Sequence, residues 1–101
     1  MTDPRIFRYE VPVDDQWHAI PLGGHVLAVA ARTPELVEFW ALTPGGEHPE
    51  PRWFRVVGTG QPLPNSAKWT HRGTTLAAGG QLVWHLIETR PTNRKPGDAD
   101  A

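Results

Sequence analysis

The sequence predicts an all-β domain, folded as a β-sandwich or a small barrel of about seven strands. Runs of β-branched and aromatic residues are separated by turn residues, among them 11 prolines and 10 glycines. These runs recur at intervals of about 8–12 residues, which is typical of sandwiches and barrels. No stretch of about 12 residues has the period of an amphipathic helix. We expect a single domain over residues 5–89.

Alternation and turn chemistry predict the strands of the first half. Residues 5–11 alternate apolar and charged side chains, and we expect them to pair with residues 16–22 as a hairpin. Residues 25–32 are almost continuously apolar, which favours a strand covered on both faces. Residues 36–43 alternate again. Their main apolar face consists of Val37, Phe39 and Ala41.

The second half predicts three further strands. Residues 52–58 run into a Gly-Thr-Gly turn, and the prolines of residues 59–67 exclude regular structure from that loop. Residues 69–76 and 81–89 are expected to form a last hairpin. The polar tail, residues 90–101, contains proline and glycine and is expected to be disordered.

Composition and charge argue against several functional classes. The net charge is −1, whereas a dedicated nucleic-acid binder usually has a basic excess. The chain has no cysteine, so it contains no disulfide, thiolate metal site or thiol nucleophile, and a reducing cytoplasm is the simplest location. No apolar run approaches the ~18 residues of a membrane span, and the start lacks a signal-type apolar segment. We therefore expect a soluble protein.

Five tryptophans are many for 101 residues. Trp40, Trp53 and Trp84 lie in strand-like runs with apolar neighbours, so they are expected to supply core area. Trp17 and Trp69 lie near the ends of predicted strands. If exposed, they are the candidate contacts for a partner protein.

One long segment lacks negative charge, because no Asp or Glu occurs between Glu50 and Glu88. The glycines at its Gly-Thr-Gly turn either expose amide groups to an anion or only supply a positive φ at a strand end. Arg52 and Arg55 are an odd number of residues apart, so they face opposite sides of their strand, and both are expected to be solvent-exposed charges. The candidate ligand-binding residues are Arg55, Gly58, Thr59, Gly60, His71, Arg72 and His85.

Metal and catalytic sites are not expected. The five histidines do not have the spacing of a ligand pair, and His85 is either a half-buried structural histidine or a ligand contact. Ser66 lies in a proline-rich loop without the strand–turn–helix frame of a nucleophile elbow. Asp14 and Asp15 occupy a predicted turn, where aspartate is favoured for its geometry.

Four motifs occur in order along the chain. Residues 39–42 read Phe-Trp-Ala-Leu, and residues 54–64 read Phe-Arg-Val-Val-Gly-Thr-Gly-Gln-Pro-Leu-Pro. Residues 71–74 read His-Arg-Gly-Thr, and residues 82–88 read Leu-Val-Trp-His-Leu-Ile-Glu. Together they resemble a family of small uncharacterised proteins encoded by bacteriophages, mainly of actinobacteria. That family often has histidine at the position of Gln61.

The resemblance implies no known chemistry, but it implies a phage accessory protein in the cytoplasm of a bacterial host. One hypothesis is a non-enzymatic module that binds a host protein, of host-takeover or anti-defence type. The alternative is a binder of a small anionic ligand, such as a nucleotide signal. An open strand edge, such as that of residues 5–11, also allows a homodimer. No cofactor, membrane or nucleic-acid partner is expected.

Overall fold

The fold is all-β, as the sequence predicts, in a computed structural model that describes residues 3–43, 50–64 and 68–89. The expected disorder of residues 90–101 and the loop position of Ser66 lie outside the described residues. Seven strands are present in the described part of the chain. They are β1 (Arg5–Pro12), β2 (His18–Leu22), β3 (Val26–Thr33), β4 (Leu36–Thr43), β5 (Glu50–Gly58), β6 (Thr70–Ala77) and β7 (Leu82–Thr89).

The strands form two antiparallel sheets, of three strands in the order β1-β4-β3 and of four strands in the order β2-β5-β7-β6. The predicted hairpin of residues 5–11 and 16–22 is wrong, because β1 pairs with β4 and β2 with β5. Alternation specifies which face of a strand is buried but not which strand lies beside it. The predicted last hairpin is confirmed. It pairs β6 with β7 across a short 3₁₀ turn, Ala78–Gly80, whose three residues have positive φ.

A core between the two sheets makes the fold a sandwich. Side chains from both sheets are buried there, namely Val11, Val37, Phe39 and Ala41 from one and Leu22, Phe54, Val56 and Leu86 from the other. The ring of Phe39 lies 5.2 Å from that of Tyr9 and 4.7 Å from that of Phe54. The predicted apolar face of β4 is therefore confirmed. The expectation that residues 25–32 are covered on both faces is wrong, because β3 is an edge strand without a fully buried residue.

The same core contains a charged network. Arg52 is 3% exposed, and its Nε and Nη2 donate hydrogen bonds to the Glu88 carboxylate over 2.5 Å and 2.8 Å. Arg72 Nε donates to the same carboxylate over 2.8 Å, and Arg52 Nη1 donates to the carbonyl oxygen of Gly24. The expectation of a solvent-exposed Arg52 is therefore wrong. The arginine is buried because its partner, 36 residues further along the chain, is buried beside it.

The three tryptophans predicted for the core are all half-buried and lie in different places. Trp84 packs against the core between the sheets, whereas Trp53 packs against a second cluster on the other face of the four-stranded sheet. Trp40 belongs to neither cluster. In the described part of the chain, no helix is long and apolar enough to cross a membrane.

A candidate binding pocket on the outer face

The four-stranded sheet has an apolar outer face, turned away from the three-stranded sheet. Along β5, Phe54 and Val56 point into the sandwich, so Trp53, Arg55 and Val57 point outward. The buried residues of this outer face are Trp17, Val57 and Ile87, with Trp53 and Trp69 packed around them. Sandwich sheets commonly present polar residues outward, so a second apolar cluster on this face distinguishes it as a candidate contact surface.

Trp17 is buried against this outer face, so it does not meet the condition of exposure on which it was a candidate partner contact. Only 7% of its surface is accessible, and the Arg55 guanidinium carbon lies 6.0 Å from the centre of its ring. A turn centred on Asp14 positions it, since the carboxylate accepts hydrogen bonds from Gln16 N over 3.0 Å and pairs with His18 Nε2 at 2.8 Å. Burial raises the pKa of Asp14, but these hydrogen bonds outweigh that effect and the pKa is lowered.

A pocket of about 280 Å³ opens beside this cluster. Its lining residues are Val57, Gly58, Thr59, Gly60, Gln61, Leu63, Trp69, His71, His85 and Ile87. Five of the seven predicted ligand residues therefore come together here, and so does Trp69, one of the two predicted partner contacts. The other two, Arg55 and Arg72, do not line the pocket. Because Arg72 pairs with Glu88, it is not available as a separate anion contact.

The Gly-Thr-Gly turn does not form the anion-binding nest considered from the sequence. Gly58 N donates to Gln61 Oε1 over 2.8 Å, and Thr59 N donates to the carbonyl oxygen of Val83 over 3.1 Å. Gln61 N in turn donates to the carbonyl oxygen of Gly58 over 3.0 Å. The amide groups of Gly58 and Thr59 therefore bond within the protein and are not available to a ligand. Gly60 has φ +89°, a conformation that favours glycine.

A chain of hydrogen bonds runs along one wall of the pocket. Thr59 Oγ1 lies 2.8 Å from His85 Nε2, and His85 Nδ1 lies 2.9 Å from Thr74 Oγ1. The same Thr74 hydroxyl lies 2.9 Å from His71 Nε2. Because Thr74 is opposite His85 in the β6–β7 pairing, the two side chains point to the same face. Sequence reasoning missed five residues of the site, namely Val57, Gln61, Leu63 and Ile87, which line the pocket, and Thr74, which joins the two histidines.

The electrostatics of the pocket are neutral to positive. None of the described residues that line it is acidic, and its only ionisable lining groups are His71 and His85. Arg55 points outward from β5, and its Nε is buried without a hydrogen-bond partner among the described residues. In the same described ranges, no three His, Asp or Glu side chains are grouped in a way that could hold a metal ion. The arrangement suits binding of an apolar group with a polar edge.

Comparison with known proteins identifies a family. Neither the curated proteins nor the solved structures include a match to this chain. One family profile matches residues 2–96, nearly the whole length of the chain. The chain therefore belongs to the DUF7352 family, a domain of unknown function.

Proposed function

We propose that this chain is a non-enzymatic binding module that holds a partner protein against the outer face of its four-stranded sheet. The observation that carries the proposal is the pocket of about 280 Å³. Its floor and walls include Val57, Leu63, Trp69 and Ile87, which suit an apolar anchor side chain. Interfaces concentrate their binding energy in such aromatic-lined pockets at the centre of the contact.

The accessible rim of the pocket also supports a protein partner. Leu63 lines the pocket and is 46% exposed. A large apolar side chain that is exposed in the same pocket as a half-buried tryptophan is typical of a contact surface. From the resemblance to phage proteins, we infer that the partner is a protein of a bacterial host and that the complex forms in the host cytoplasm.

A charged substitution at the pocket rim tests the proposal. We expect Leu63→Glu to reduce capture of the partner from an actinobacterial lysate at least about tenfold, because it places a charge at an apolar anchor site. Quantitative mass spectrometry of proteins bound to immobilised wild type and variant gives the measurement. Leu27→Glu is the matched control, since Leu27 is 52% exposed but lies on β3 in the other sheet.

The informative protein is one that binds both the wild type and Leu27→Glu but is lost with Leu63→Glu. Circular dichroism of both variants establishes that they remain folded. If every captured protein binds Leu63→Glu as well as it binds the wild type, the pocket is not the contact surface and the proposal fails.

A small anionic ligand, such as a nucleotide, is the second candidate. The observation that favours it is the meeting of Gly60, His71 and His85 with Trp69, a ring on which a base could stack. We expect such a ligand to raise the melting temperature of the wild type and to do so less in Trp69→Leu. The absence of any shift with nucleotides and cyclic nucleotides at about millimolar concentration would remove this candidate.

A further inference from the structure

Three hydrogen bonds link the side chains of Thr59, His85, Thr74 and His71 in that order. Each bond needs one proton from one of its two partners. The Thr74 hydroxyl has one proton but contacts a ring nitrogen of each histidine, so it donates to one and accepts from the other. With both rings neutral, the donors therefore all point one way along the chain. In one of these two arrangements of donors, the Thr59 hydroxyl donates its proton to His85 Nε2 and has none left for a ligand.

A proton added to His85 fixes the direction of these hydrogen bonds. A charged imidazole is a donor at both nitrogens, so His85 then donates to Thr59 and to Thr74. The Thr59 hydroxyl accepts that bond, and its own proton is free to point toward the pocket that Thr59 lines. The pocket wall then presents a positive charge and a hydroxyl donor together, which is the combination that a carboxylate prefers.

The charged groups around the two histidines favour an anion. On β5 the outward charge is Arg55, and Lys68 is exposed just before Trp69. On β6 and β7, Arg72 and Glu88 pair with each other toward the sandwich interior. Within the described ranges, the turn after β5 adds no ionisable group to the pocket. No carboxylate of these elements is therefore placed to neutralise a protonated histidine.

We propose, resting on the partner-binding role above, that the pocket recognises an acidic segment of the partner, with an apolar anchor side chain next to a carboxylate. The anchor occupies the space between Leu63, Trp69 and Ile87, and the carboxylate lies at the wall formed by Thr59 and His85. Binding then takes up a proton on His85. As a result, the complex strengthens as pH falls through the range in which histidine gains charge.

A matched pair of probes tests the charge requirement. The blocked dipeptide N-acetyl-Glu-Phe-amide presents an aromatic anchor beside a carboxylate, and N-acetyl-Gln-Phe-amide has the same shape without the charge. Titrations are followed by NMR of the imidazole and indole signals. We expect the Glu peptide to bind roughly fivefold more tightly at about pH 5.5 than at about pH 8, with the Gln peptide nearly unchanged.

Two histidine variants locate the effect. His85→Gln keeps a donor and an acceptor on the side chain but cannot gain a proton, so it should abolish the pH dependence of Glu-peptide binding. His18→Gln is the control, because His18 lies outside the pocket and pairs with Asp14. It should retain the full pH dependence. The NMR spectra show directly whether each variant is folded.

Several outcomes would overturn the inference. They are equal binding of the two peptides at all pH values, a pH dependence that survives His85→Gln, and no binding of the Glu peptide at millimolar concentration. Binding of free 3-phenylpropionate but not of the peptide would assign the pocket to a small acid instead. None of these results depends on lysate capture, so the inference can fail while the Leu63→Glu experiment still supports partner binding.

Discussion

Replacing Arg52 with leucine is expected to lower the free energy of unfolding by about 3–5 kcal/mol, the usual cost of removing one member of a buried ion pair. The change leaves the Glu88 carboxylate, which is 2% exposed, with less compensation for its charge. It also leaves the carbonyl oxygen of Gly24 without the donor that Arg52 Nη1 provides. Because a domain of this size is stable by about 5–15 kcal/mol, the change removes a substantial share of its stability.

Urea unfolding followed by tryptophan fluorescence measures this loss. Arg55→Leu is the matched control, since it removes the same side chain from the same strand without breaking an ion pair among the described residues, and it should cost only about 0.5–1 kcal/mol from the contact with Trp17. The double variant Arg52→Leu/Glu88→Leu removes both charges and is expected to recover part of the loss. Equal costs for Arg52→Leu and Arg55→Leu would contradict this account of the core.

Gly73→Ala is expected to destabilise the fold by about 1–3 kcal/mol, the typical cost of overpacking. A Cβ at this position would clash with Val29 Cγ2 and would lie 3.0 Å from Val29 Cβ. Gly73 is on β6 and Val29 is on β3, so this contact joins the edges of the two sheets. The added methyl group therefore forces the sheets apart or displaces the Val29 side chain.

A double-mutant cycle with Val29→Ala isolates this contact. The pair Gly73→Ala/Val29→Ala should be clearly more stable than the sum of the two single changes predicts, because the smaller side chain makes room for the new methyl group. Thr75→Ala, two residues further along β6, serves as a control in the same strand and should cost less than Gly73→Ala. Additivity within about 0.3–0.5 kcal/mol would show that the two positions do not meet.

The candidate site was only partly predictable from the sequence. The acid-free segment and its glycines identified Gly60 and His85, because charge and turn chemistry are properties of the chain itself. The same reasoning assigned an exposed Arg52 and made Trp17 a partner contact on condition that it is exposed, but both side chains are buried. Burial of a polar or aromatic side chain depends on which strand or turn covers it, and the neighbouring residues in the sequence do not indicate which element that is.

The sequence by itself determined the strands and the buried apolar face of β4, because a strand's alternation is visible in neighbouring residues. It also determined the final hairpin, whose strands are joined by a short glycine turn. Only the tertiary structure decided that β1 and β2 separate into different sheets, and that Thr59 and His71 reach the same hydrogen-bond chain. The physical reason is that these contacts join residues far apart in the sequence. The pairing of distant strands is selected by the packing of the whole core, in which every strand must bury its apolar face at the same time.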